Sequence, residues 1–432
     1  MAYTSSGKLP FERASKVGHI KVIKEPHIQR LVEAFESVDN ASQEQVGSLS
    51  GHLDLSDCGE LENVVAVDGS YIPIPNEIKN HKRLAFFSVS TVVLQRREIE
   101  AMQASPIIDP RDLAKRLEDS HETLSWALPL AGISVPGQTL IETIRKLIDE
   151  FFQHSGLYPT LQFLLSREWL PSYEMTAYMG CIKCGRDITL PRSKLYFACP
   201  YCNQHHTLAD YLQLVQSQPD DWAREEVVKM LMGVAENLYL LRFLVNYRDK
   251  PLILRRTLFL KDGPLLLSSQ LARLVPAVRE FLRYLSKAGH QVHVVGTEKT
   301  GELVDHVPLI REVLLKPGDY FLPSVRYLQE RLKGVVFDRD SYINRVSYGS
   351  KVVVRLGHEH TVAFNVPTGE YLLEPEEGEL YGFQKSMALL SRMLSSAHEN
   401  ALVPLVLANS VASISSSPSA DILETFARRL MK

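Results

Sequence analysis

The sequence predicts an α/β protein: a mixed β-sheet flanked by helices, with an inserted four-cysteine zinc ribbon. Three observations carry this reading. Short β-branched runs alternate with stretches of helical apolar spacing, one long segment carries a continuous apolar stripe, and two Cys-x-x-Cys knuckles sit close together.

The elements follow in order. Residues 1–50 read as a helical lead-in, with helical spacing from His27 to Ser37 and then a polar Ser/Gln/Gly loop. Asn63-Val-Val-Ala-Val-Asp-Gly-Ser70 is a strand ending in a turn, and Leu84 to Gln95 is a strand that pairs with it. Helical spacing over 110–175 predicts a helical insertion, followed by the ribbon over 176–212. From Ala223 to Tyr247, Val227, Leu231, Val234, Leu238, Leu241 and Val245 recur at steps of four and three, the stripe of an amphipathic helix. A strand at Arg256–Lys261, a helix at Leu271–Ala288 and a strand at Gln291–Val295 come next. Strands near Gly334–Phe337, Lys351–Leu356 and Thr361–Val366 precede a helix from Gln384 to Leu402.

Bulk properties bound the function. The chain has 432 residues, 45% hydrophobic and 23% charged, enough for a large core. Lys plus Arg number 48 against 51 Asp plus Glu, a net charge of −3, whereas a protein that merely coats nucleic acid is usually basic, so the charge balance neither supports nor excludes a nucleic-acid substrate. Any DNA contact must come from a local groove. Met1 to Lys16 is polar, without a signal peptide's apolar segment, so the default expectation is a cytoplasmic protein. The longest apolar stretch, Ala401 to Ile414, is broken by Pro404, Asn409 and Ser410 and is too short for a membrane span.

Cys181-Ile-Lys-Cys184 and Cys199-Pro-Tyr-Cys202 are separated by 14 residues. Zinc takes four thiolates in a tetrahedron, and each Cys-x-x-Cys turn sets two sulfurs on one side of the ion. With four thiolates no coordination position stays open, so the expected site is structural. Accidental cysteines or a redox pair are the alternatives. Cys58 stands apart as an ordinary thiol, His205 and His206 are dispensable as ligands, and Arg186, Arg192 and Lys194 give the ribbon a basic edge.

Asp68 and Asp262 share a pattern: an apolar strand, then Asp-Gly, then a small or turn-forming residue. Side by side, two such carboxylates repel, and divalent cations relieve that repulsion while binding phosphate oxygens. Asp-Gly alone is a common turn dipeptide. Glu236 is the only acid between Val227 and Tyr247, in a helix apolar over most of its circumference, and a buried carboxylate needs a cation or hydrogen bonds. A surface glutamate is the alternative, and Glu225 is the fallback helix acid.

These pieces together resemble the NurA nuclease family. The resemblance rests on Val65-Ala-Val-Asp-Gly-Ser70, the helix carrying Glu236, Leu258-Phe-Leu-Lys-Asp-Gly-Pro-Leu265, Val294-Val-Gly-Thr-Glu-Lys299 and Ser396-Ala-His-Glu-Asn-Ala401, in family order over most of the chain. It implies a ribonuclease-H-like core over 51–432 and manganese- or magnesium-dependent DNA cleavage, both exonucleolytic and endonucleolytic. It also implies a homodimer working with a HerA-type hexameric ATPase in end processing. Carried over by position, Asp68, Glu236 and Asp262 hold two ions. His398 is a further ligand or proton-transfer group, and Lys299 neutralises the scissile phosphate or holds a metal-bound carboxylate. Tyr348, Tyr371 and Tyr381 are candidates for an expected catalytic tyrosine. The ribbon is not a usual part of the family core, and the spacing from Glu236 to Asp262 is long for it.

No Gly-x-x-x-x-Gly-Lys-Ser/Thr loop occurs in the sequence, so motor activity is expected from a partner. Two rivals remain: a non-catalytic assembly factor whose ribbon grips DNA or a partner, and a metal-dependent phosphoesterase acting on RNA or nucleotides.

Overall fold

Short runs rich in β-branched residues, buried on both faces in the central strands, build a nine-stranded sheet. In chain order its strands are β1 (Ser50–His52), β2 (Asn63–Ile74), β3 (Arg83–Gln95), β4 (His121–Ala131), β9 (Thr257–Asp262), β10 (His293–Glu298), β11 (Asp319–Phe321), β12 (Ser350–Arg355) and β13 (Thr361–Val366). Between β4 and β9 lie the hairpin strands β5 (Tyr178–Gly180), β6 (Asp187–Thr189), β7 (Tyr196–Ala198) and β8 (His205–Thr207). The computed structural model describes residues 23–33, 43–74, 82–103, 120–170, 178–191, 194–215, 221–339, 342–395 and 401–430. Two compact units form, 1–42 and 43–432. The first contains a short helix, Pro26–Glu33, within the helix expected from His27. Residues 43–50, read from sequence as lead-in, belong to the second unit, where Ser50 pairs with Phe321.

The strand order is β1-β11-β12-β13-β10-β9-β2-β3-β4. β2, β3 and β4 form an antiparallel meander, β9 runs parallel to β2, and β10 runs parallel to β9. The pairs β10–β13, β13–β12, β12–β11 and β11–β1 are antiparallel. The sheet is thus mixed, as the sequence predicts.

The longer helices are α1 (Leu140–His154), α2 (Tyr158–Ser166), α3 (Asp221–Tyr247), α4 (Val275–Lys287), α5 (Glu302–Val313), α6 (Phe383–Leu390), α7 (Val403–Ala412) and α8 (Ser419–Leu430). α1 begins where Thr139 and Glu142 close a capping box, each side chain satisfying a backbone N–H of the other. The stripe of α3 from Val227 to Val245 is buried throughout. One face of the sheet, with Val65, Val67 and Phe259, packs on α1 to α4. The other, with Val64, Ala66, Leu258 and Leu260, packs on α6 and α7.

Three expectations are corrected. Residues 121–131 are not part of a helical insertion but the edge strand β4, on which Pro129 is tolerated. Gly334–Phe337 is not a strand: Val335 and Val336 are 55% and 86% exposed and pair with nothing in the sheet. The helix expected over Gln384–Leu402 stops at Leu390, and an isolated bridge joins Leu394 to Leu402 before α7 begins. No helix among the described residues is long and apolar enough to cross a membrane.

Candidate functional site

β2 and β9 run side by side in register, Val67 opposite Lys261, so the next residues, Asp68 and Asp262, lie level on adjacent strands. Side chains alternate along a strand, so both aspartates follow Ala66 and Leu260 onto the α7 face, and Lys261 follows Phe259 onto the α3 face. Asp68 is 6% exposed and accepts hydrogen bonds from the Gly69 N–H at 2.7 Å and from Asn409 Nδ2 of α7 at 2.8 Å. Burial and the neighbouring Asp262 carboxylate, with Glu236 adding to both, push Asp68 up to about 7 against those hydrogen bonds.

Asp262 pairs with Lys299, which follows β10, and so gains the charge partner that Asp68 lacks among the described residues. Thr297 lies beside Asp262 in the β9–β10 register, so Lys299 is brought to the site by the parallel pairing itself. Glu236 projects from α3 and is 7% exposed. Lys261 Nζ lies 2.9 Å from its Oε2. Burial raises the Glu236 pKa, and Lys261 works against that rise. Glu236 reaches the sheet because Gly69 has no side chain: a Cβ there would collide with Glu236 Oε1 and crowd Met232. The fallback acid, Glu225, pairs with Arg83 instead.

Glu236 with Lys261 therefore lies on the α3 face, across the sheet from Asp68 and from Asp262 with Lys299 on the α7 face, and Asp68 has no cationic partner among the described residues. Carboxylate oxygens such as those of Asp68 and Asp262 are the donors that hard divalent cations take. The three carboxylates are not drawn to ligating distance of one another. Among the described residues, the one set of three or more Cys, His, Asp or Glu whose ligand atoms lie within 4.8 Å of each other is the cysteine cluster.

His398 lies outside the described residues. Of the tyrosines, Tyr348 is buried at 2% exposure, donates its hydroxyl to Asn237 Oδ1 on α3, and has its pKa raised by burial and by Glu236. Tyr371 lies against the Arg279 guanidinium, and Tyr381 packs over Gly369. Sequence reasoning missed Asn409, noted only as a polar break in an apolar stretch. Asn409 is exposed on α7, so no burial argument could have singled it out from the sequence.

The four cysteines meet as predicted, and each knuckle caps its own hairpin, β5–β6 and β7–β8. Cys181 Sγ lies 3.6 Å from Cys202 Sγ, and Cys184 Sγ lies 3.8 Å from Cys199 Sγ. Four sulfurs at a Zn–S distance of about 2.3 Å in a tetrahedron stand about 3.8 Å apart. The cluster can therefore hold zinc. Burial pushes the Cys181 thiol up, but the backbone N–H groups of Cys184 and Lys183 and the His206 ring outweigh it, and it settles at about 6. His206 is no ligand. Its Nε2 sits 3.3 Å from Cys181 Sγ and its Nδ1 3.3 Å from Asp210 Oδ2, and Asp210 is held in turn by Arg145 of α1. This chain ties the ribbon to the core. Arg186 stacks over Tyr201, Lys194 is exposed, and Arg192 lies outside the described residues. Cys58 is buried and takes a contact from Arg96 Nη1 at 3.1 Å.

No known protein-family model matches this chain, and no curated protein sequence matches it.

Proposed function

We propose that the protein is a divalent-metal-dependent deoxyribonuclease of the NurA kind, with a ribonuclease-H-like core and a structural zinc ribbon. The observation that carries this reading is the level placement of Asp68 and Asp262 on adjacent parallel strands, with the uncompensated charge on Asp68. The sheet supports it too. The antiparallel meander β2–β3–β4 is continued by parallel β9 and β10, with acids on the first strand, on α3 and on β9.

Asp68 and Asp262 would hold the cations, and Glu236 would join them only by leaving Lys261 and reaching past the end of β9. Manganese or magnesium ions bound there would supply a metal-activated water and a Lewis acid for the leaving oxygen. Lys299, more than half exposed at 55%, is free to turn from Asp262 toward a scissile phosphate. Asn409 fixes the Asp68 carboxylate, and Lys261 balances the buried Glu236. A HerA-type translocase feeding DNA to a homodimer in the cytoplasm completes the proposal, resting on the family resemblance alone.

A second reading is favoured by one observation: Lys261 and Lys299 already neutralise two of the three carboxylates. On that reading the chain is a non-catalytic assembly factor. Purified protein incubated with linear DNA and manganese, beside Asp262→Asn, separates the two. Cleavage abolished by the variant supports the nuclease. Intact DNA even with a translocase present supports the assembly factor, and cleavage of RNA alone supports a different phosphoesterase.

A further inference from the structure

A cavity of about 250 Å³ opens between the end of β10 and α7, beside the paired aspartates. Its lining is divided by chemistry. Thr297, Lys299 and Asn409 form a polar end, and Val362, Leu402, Leu405 and Val406 belong to the apolar part. Lys299 and Asn409 are the side chains that contact Asp262 and Asp68, so the polar end is continuous with the carboxylate site. Glu298 borders the cavity too, but its carboxylate is taken up by Lys351 and by Asn365 Nδ2, leaving it unavailable to repel an anion.

An apolar cavity of about 150 Å³ accommodates benzene. The present one is larger by enough for a single purine and smaller than the ~300–1,000 Å³ of sites that enclose drug-sized ligands. A cation and an amide at one end with aliphatic walls at the other suit a flat ring joined to a phosphate. We infer that this cavity binds the base of one nucleotide while Lys299 receives its phosphate, so that the protein engages an unpaired nucleotide at a DNA end. A base seated among Leu402, Leu405 and Val406 has no room for its Watson–Crick partner, so the substrate is a single-stranded or frayed terminus, not an intact duplex.

The choice of ligand rests on the nuclease reading, but binding can be measured without cleavage. Calorimetric titration, with no added divalent metal, compares 2′-deoxyadenosine 5′-monophosphate with 2-deoxyribose 5-phosphate, the same anion without the base. The expected result is at least a ~10-fold tighter grip on the nucleotide, equivalent to about 1.4 kcal/mol. Val406→Trp, which fills the cavity, should remove that advantage, and Lys299→Ala should weaken both ligands. Val406→Leu should give an intermediate loss, which guards against a tryptophan variant that does not fold. Equal affinity for the two ligands, no binding of either, or an advantage untouched by Val406→Trp and Val406→Leu would overturn the inference. The two proposals fail separately. Nucleotide binding without DNA cleavage sinks the nuclease and keeps the cavity's role, and cleavage without a base advantage does the reverse.

Discussion

Replacing Asp68 by asparagine should stabilise the protein when no divalent metal is added, and increasingly so as the pH rises. Asp68 titrates at 3.8 when unperturbed and is pushed up to about 7 in the fold, first by burial and then by Asp262. Between those values the folded state holds a proton that the unfolded chain has released. The stability linked to that proton is fully present below the unfolded pKa and lost as the pH rises through the folded one. The whole change is on the order of 4 kcal/mol, of which roughly 3 kcal/mol falls between about pH 5 and about pH 8. An asparagine at this position does not titrate. It can still accept from the Gly69 N–H, and rotation of the Asn409 amide offers an oxygen to its new NH₂ group. For 432 residues at about 2.1 cal/mol/K each, the melting entropy is ~0.9 kcal/mol/K, so the melting-temperature gap should widen by about 3 °C over that pH interval. Differential scanning calorimetry of both proteins at matched ionic strength reads this directly. Manganese at the upper pH should raise the wild-type midpoint more than the variant's. A gap that stays constant or narrows with pH would refute the charge argument, and with it the case for Asp68 as a cation ligand.

Three other outcomes are expected. Gly69→Ala puts a methyl group against Glu236 Oε1 and Met232, and should lower stability by about 1–3 kcal/mol in thermal melts as well as depress any cleavage activity. Tyr348→Phe strands the Asn237 carbonyl in the core. It should cost about 1–3 kcal/mol in denaturant titrations, whereas Tyr381→Phe, at a half-buried site, should cost less than about 1 kcal/mol. Cys184→Ser should reduce bound zinc from about one per chain by elemental analysis and expose 178–207 to proteolysis. Full zinc retention would show that the four sulfurs do not act together.

The legible parts of this sequence are those where local pattern and tertiary role agree. Val64 to Val67 and Leu258 to Leu260 are apolar on both faces because both are covered, and they read as strands at once. The cysteine spacing announced its own geometry. β4 was obscured because Leu124, Ala127, Leu128 and Leu130 are strong helix formers, and their strand conformation comes from pairing with β3. Val335 and Val336 misled in the opposite direction, being β-branched residues without a neighbouring strand. β1 and β11 have three residues each, too few to show a period. In the site, the two aspartates were visible as strand ends. The Lys261–Glu236 pair and the Asn409 contact were not, because they join residues 25 and 341 positions apart through packing that no local pattern encodes.

The unequal lengths of neighbouring strands govern how anything can reach the aspartates. β9 leaves the sheet at Asp262, whereas β2 and β3 stay paired as far as Ile74 and Leu84, with β4 bonded along the outer side. The meander thus overhangs the carboxylates by about 20 Å, the span of residues 69–74 at the usual strand rise. β3, bonded on both sides along this stretch, cannot bend away without breaking a ladder. On the proposed nuclease reading, the overhang covers that flank and leaves the side where β10 ends, with its cavity, as the approach for a polymer. On that reading, the awning sets a direction of travel.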